Sequence, residues 1–247
     1  MKLEICIDSV ASAMAAEQGG AHRVELSDYL AGGGTTPSAG MIEVVRKSIK
    51  IGLHVLIRPR RGDFLYSEAE FEVMKRDIQV CRELGADGVV IGALTKVGGI
   101  DIGGTQRLID AAGPMHITFH RAFDLTPDPF QALDDLLQLK VHRLLTSGQR
   151  ETALQGAELI RELNQRAAGR LIVMPGGGVT PDNVQELVSR TNVSEVHASV
   201  RKSVESAMVF RRDYPPMSSS KVLSEFEQLV ADVSQVRALG EGLEQRY

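Results

Sequence analysis

Hydrophobic positions along the chain follow two alternating rhythms. Short, β-branched runs read "LEICI" (3–7), "RVEL" (23–26), "LHVLIR" (53–58) and "GVVIG" (88–92). They continue as "HITFH" (116–120), "HRLLT" (142–146), "LIVMP" (171–175) and "EVHAS" (195–199). Between these strand-like runs lie longer segments with the spacing of amphipathic helices. Ser67 and Glu70 have capping-box spacing at the head of one such segment, which closes at Gly85, and Thr-Pro-Asp opens both "TPDPFQALDDLLQL" and "TPDNVQELVSR". Eight strand–helix units in 247 residues predict an α/β protein, a single (β/α)8 TIM barrel. An open, doubly wound sheet is the second architecture that such units build. No composition break divides the chain, so one domain is expected over 1–247. Residues 201–220 read as a long connection, and 221–240 as a terminal helix packing on the barrel as its eighth.

In a barrel, alternate strand residues point inward. With the more apolar set facing the helices, the inward set is Glu4, Cys6 and Asp8, then Arg23, Glu25 and Ser27, then His54, Leu56 and Arg58. It continues with His116, Thr118 and His120, and with Glu195, His197 and Ser199. Barrel interiors are usually filled by branched aliphatics, and a buried charge costs several kcal/mol unless paired. The pattern therefore predicts a polar, charge-networked interior. Residues early in the strands read as an ion-paired plug, and those late in the strands as the C-terminal mouth, where this fold keeps its chemistry.

Composition narrows the function classes. A net charge of −4 provides no basic field for nucleic acid. No apolar run approaches the ~20 residues of a membrane helix, no signal peptide is visible, and two distant cysteines, Cys6 and Cys81, make no disulfide framework. The expectation is a cytoplasmic, reduced protein with neither nucleic-acid nor membrane partners.

At the mouth, the stretch "ITFHRAFD" (117–124) presents His120, Arg121 and Asp124. His116 and His120 are four strand residues apart, roughly 13 Å, too far to share a metal ion. Glu25 and His120 form a candidate acid–base pair, with Arg58, Asp124 and His197 as further catalytic candidates. Arg58 has the fork to grip a carboxylate or phosphate, oriented by Asp63 or Glu25. The loop "PGGGVTPDNV" ahead of a helix expected near Pro181, with "LTSGQ" and "HASVRKS", supplies an anion-binding set: Ser147, Gly148, Gly177, Gly178 and Ser199. No strand-end lysine suits a Schiff base, and no P-loop, nucleophile elbow or metalloprotease motif occurs.

Taken in order, "LEIC", "RVEL", "GGTTPS", "TFHRAFD", "LTSGQ", "GGGV" and "EVHAS" resemble the CutC family of copper homeostasis proteins, through about residue 220. The resemblance implies a cytoplasmic, dimeric TIM barrel that handles copper. Copper(I) favours thiolate, and Cys6 matches the cysteine of the family's opening motif. Family members often carry another cysteine after "VEL", where this chain has Ser27. Two functions follow: a Cu(I)-binding protein centred on Cys6, or an enzyme acting on a small phosphorylated or carboxylated substrate by acid–base chemistry at the mouth.

Overall fold

The structure, a computed structural model, describes residues 1–212, 215 and 224–244. Eight parallel strands form the barrel: β1 (Lys2–Ile7), β2 (Arg23–Leu26), β3 (Gly52–Leu56), β4 (Gly88–Ile91), β5 (His116–Phe119), β6 (Arg143–Thr146), β7 (Ile172–Pro175) and β8 (Glu195–Ala198). Hydrogen-bonded ladders run from β7 through β1 to β8. Closure comes where β7 meets β8: a Cβ on Gly176 would sit 3.2 Å from the His197 side chain.

The strands alternate with α1 (Val10–Gln18), α2 (Ala39–Ser48), α3 (Glu68–Glu83), α4 (Ile102–Ala112), α5 (Pro129–Gln138), α6 (Ala157–Ala167), α7 (Val184–Thr191) and α8 (Val233–Glu244). The caps read from sequence form as expected. Ser67 and Glu70 make a reciprocal capping box on α3, and Asp128 caps α5 with Pro129 in its first turn. Leu3, Ile5, Val24, Leu26, Val55 and Ile91 face the helices and are fully buried. No helix among the described residues is long and apolar enough to cross a membrane.

The C-terminal segment differs from the expected helix over 221–240. Arg201–Glu205 forms β9, and Glu227–Ala231 forms β10, paired antiparallel to it. Residues 213, 214 and 216–223, most of the remaining stretch, lie outside the described residues. The Ala231 amide donates to Ser12 Oγ at 3.1 Å, tying the hairpin to α1. The helix starts only at Val233, where it packs between α1 and α7 through Val236, Leu239 and Leu243. It is the eighth barrel helix, displaced along the chain because β10 takes the apolar positions before it.

Inside the barrel, Arg23 Nε donates to Glu4, and Arg23 Nη2 reaches Glu195 Oε2 at 2.7 Å. Arg143 Nε reaches the same Glu195 oxygen at 2.7 Å, and His54 Nδ1 lies 3.8 Å from Glu4. The two arginines occupy equivalent places four strands apart. Each follows a histidine whose Nδ1 accepts a backbone N–H of the preceding strand: Leu3 to His22 at 3.2 Å and Ile117 to His142 at 3.1 Å. Burial raises the Glu4 carboxyl, but Arg23, with His197 and His54, more than reverses this and holds it well below the usual carboxylate range. His116 departs from the expected inward set: it is exposed at the bottom of the barrel, stacked on His54 with centroids 6.2 Å apart.

Candidate functional site

At the C-terminal ends of the strands lies a cavity of about 350 Å³. Its lining includes Cys6, Glu25 and His197 from β1, β2 and β8, His120 and Arg121 after β5, and Gly177, Gly178, Ser199 and Arg201 after β7 and β8. Strand pairing explains the convergence. Cys6, Glu25 and His197 each lie two residues beyond a plug residue on the same strand (Glu4, Arg23 and Glu195), and Cys6 lies opposite Glu25, so period-two alternation places all three on the inward face above the ion-paired plug.

One ligand atom from each of Cys6, Glu25 and His197 lies within 4.8 Å of the others, and all three residues are buried. His197 Nδ1 lies 2.8 Å from Glu4 Oε1. An ionised carboxylate only accepts, so Nδ1 carries the proton and Nε2 is the nitrogen left for a ligand. Burial drives the Glu25 carboxyl up to about 7; His197 works against this and Glu4 adds to it. Burial also raises the Cys6 thiol, against the pull of its His197 hydrogen bond. For His197 burial acts downward, but contacts with Cys6, Glu4 and Glu25 raise it well above 6.5. Burial and mutual contact thus shift all three groups toward their protonated forms.

The other sequence candidates separate. His120 follows β5, and its Nδ1 accepts the Ala122 amide at 3.1 Å, while its Nε2 is buried without a partner. Burial, with Arg58 adding, depresses it to about 3, so the ring is neutral. Glu25 faces His197 instead, at 3.8 Å; among the described residues no ion pair or hydrogen bond joins Glu25 to His120. Arg58 is committed elsewhere. Its Nη1 donates to the Gly33 and Gly34 carbonyls at 3.0 Å, and its Nη2 to Gly62 at 2.8 Å, with Phe64 stacked on the guanidinium. It ties two mouth loops together, and among the described residues it makes no ion pair or hydrogen bond with Asp63 or Glu25.

Asp124 is likewise occupied. It accepts from Thr146 Oγ1, from the Ser147 and Gln149 amides, and from Arg121 Nε at 2.8 Å. Ser147 and Gly148 serve this cluster and not the cavity wall. Ser147 Oγ accepts from Arg121 at 2.7 Å, and Gly148, at φ +67°, sits where a Cβ would approach the Gly156 carbonyl oxygen to 2.4 Å. The helix expected near Pro181 begins at Val184, so Val179 and Thr180 line the cavity instead of its first turn. Sequence reading left out Arg143. The available signal was its His142–Arg143 pair, which repeats His22–Arg23 at the start of β2; the register sets Arg143 beside inward Thr118.

A TIM barrel with a buried Cys–Glu–His cluster at its mouth is the class of protein defined so far. The CutC family model matches residues 1–202, and the chain belongs to the CutC family. It is 51% identical over 242 residues to a CutC family protein of Chromobacterium violaceum, covering 98% of both chains. It is 48% identical to the human copper homeostasis protein cutC homolog, over 96% of this chain and 87% of that one. Among solved structures, CutC of Streptococcus agalactiae matches with a TM-score of 0.77 and 34% identity, over 80% of this chain and 98% of that one. A thiamine phosphate pyrophosphorylase of Pyrococcus furiosus, at TM-score 0.62 and 15% identity over 99% and 96% of the chains, shares the fold alone.

Proposed function

We propose that this copper homeostasis family member binds Cu(I) at the barrel mouth, with Cys6 and His197 as ligands and Glu25 as a third, weaker one. The observation that carries the reading is the hydrogen bond from His197 Nδ1 to Glu4 Oε1 at 2.8 Å. A ligating histidine usually donates its second N–H to a carboxylate, which fixes the ring and makes the free nitrogen a better donor. Thiolate and imidazole suit Cu(I), whereas one carboxylate does not make a site for a hard cation. Copper is here cargo. Cys6 supplies the thiolate, His197 the second donor, and burial shields the ion from oxidants and competing thiols. Glu4 and Arg23 below hold the charges that keep the donors in register.

An anaerobic titration of Cu(I) against a competing chelator of known affinity tests this on wild type and Cys6→Ala. Tight binding that is lost in the variant supports the site. Weak binding that Cys6→Ala leaves unchanged rules it out.

A further inference from the structure

We infer that the same cavity binds a small organic anion, with its phosphate or carboxylate group held between Arg121 and Arg201 beside the Gly177–Gly178 turn. None of these residues is a proposed copper ligand, so the inference stands apart from metal binding. It rests on how the donors are held.

Arg121 is fixed from behind. Its Nε donates to Asp124 at 2.8 Å and its Nη2 to Ser147 Oγ at 2.7 Å, leaving Nη1 without a hydrogen-bond partner in the described structure. That nitrogen lies against Gly177, where a Cβ would come within 3.3 Å of it. Gly177 has φ +106° and Gly178 φ +69°, conformations that favour glycine, so the wall beside the guanidinium stays bare backbone. Asp124 pairs with Nε and also accepts from Thr146, Ser147 and Gln149, so Nη1 is the edge of the guanidinium left to meet a ligand.

Arg201, at the start of β9, lines the same cavity. Its contact with Asp8 is 3.7 Å, an ion pair without a hydrogen bond, so its donors remain available. A third donor has no partner at all. His120 is 6% exposed, its Nδ1 already accepts the Ala122 amide, and the proton must therefore be on the unpartnered, buried Nε2. A buried donor without an acceptor is costly, but this nitrogen is closed to solvent, so a ligand oxygen would relieve it only by displacing the wall that covers it.

Two guanidinium edges in one cavity describe a ligand with an anionic group. Guanidinium forks bind phosphate and carboxylate through the same paired hydrogen bonds. A cavity of about 350 Å³ is within the range for a small metabolite.

The test is isothermal titration of the metal-free protein with inorganic phosphate and, separately, with acetate, on wild type, Arg121→Gln and Arg201→Gln. Saturable binding of at least one probe is expected, weakened about tenfold or more in each variant. The tighter probe identifies the anion as phosphate or carboxylate. Cu(I) affinity measured on the same variants should be unchanged, which separates this inference from the copper reading. Circular dichroism checks each variant's fold, and Arg201→Gln carries the test if Arg121→Gln unfolds. Absence of saturable binding by both probes, or binding that persists in the folded variants (an adventitious ion only), overturns the inference.

Discussion

Glu4 Oε1 and His197 Nδ1 lie 2.8 Å apart, while the other Glu4 oxygen accepts from Arg23. This one carboxylate belongs at once to the ion-paired plug of the barrel and to the candidate metal site above it. The plug and the site are a single network, so perturbing the lower layer must be felt in the upper.

Replacing Glu4 by Gln tests that link. The change keeps the shape but removes the charge that compensates Arg23 and orients His197. Breaking a buried pair costs about 3–5 kcal/mol, and loss of the partner behind a ligating histidine costs about 10- to 100-fold in metal affinity. Urea unfolding and Cu(I) competition should both show the loss. Unchanged copper affinity in a folded Glu4→Gln protein would mean that His197 is not a ligand.

Copper affinity should rise with pH. The Cys6 thiol and His197 are both raised above their ordinary values, so at neutral pH each holds a proton that the metal must displace. Each proton released adds one unit to the slope of log affinity against pH. A slope of at least two is expected between about pH 6 and 8, steeper on the acid side where Glu25, raised to about 7, gives up a third proton, measured by the same competition titration. A flat profile would exclude thiolate and imidazole as ligands.

Acid should destabilise the fold through its buried neutral histidines. Burial depresses His54 to about 3, from an ordinary value of 6.5. The unfolded chain therefore binds this proton first. The contribution of His54 is fully present above pH 6.5 and is lost as pH falls toward 3, on the order of a few kcal/mol. Glu25 acts in the opposite sense: its carboxyl, raised to about 7, contributes stability below 4.5 that is lost as pH rises through 7. Chemical unfolding at several pH values should give a flatter acid limb for His54→Gln than for wild type.

Ser27 offers a gain-of-function test. It is buried, lines the cavity and lies beside Cys6. Ser27→Cys would add a second thiolate and should tighten Cu(I) binding by about tenfold or more, given the preference of Cu(I) for sulfur. No gain would place the ion away from Cys6.

Asp124→Asn should separate loop architecture from metal binding. Asp124 is the acceptor hub for Thr146, Ser147, Gln149 and Arg121. Leaving these donors with a neutral acceptor should cost about 1–3 kcal/mol, read as a lowered melting temperature, with Cu(I) affinity unchanged.

Much of the fold was legible because it is written locally. Strand runs and helix caps depend on residues a few positions apart, and the Ser67–Glu70 box and the Asp128–Pro129 start formed where their spacing placed them. The expected helix over 221–240 differed because apolar periodicity cannot register that β9 was waiting to pair with 227–231. Among site residues, alternation along single strands placed Cys6, Glu25 and His197 at the cavity. It did not distinguish Arg58, which looks like a ligand grip in sequence and is spent on three backbone carbonyls.

The sequence by itself determined the eight βα units, the polar inward face and the level of each charge along its strand, because side-chain direction and height follow from strand periodicity. Only the tertiary structure decided which charges meet. Register between strands far apart in sequence set Glu4 opposite His197, two arginines on Glu195, and Asp124 against Thr146. A buried proton's location follows from those partners, since burial and neighbouring charge shift a pKa only through distances that the chain acquires when the barrel closes.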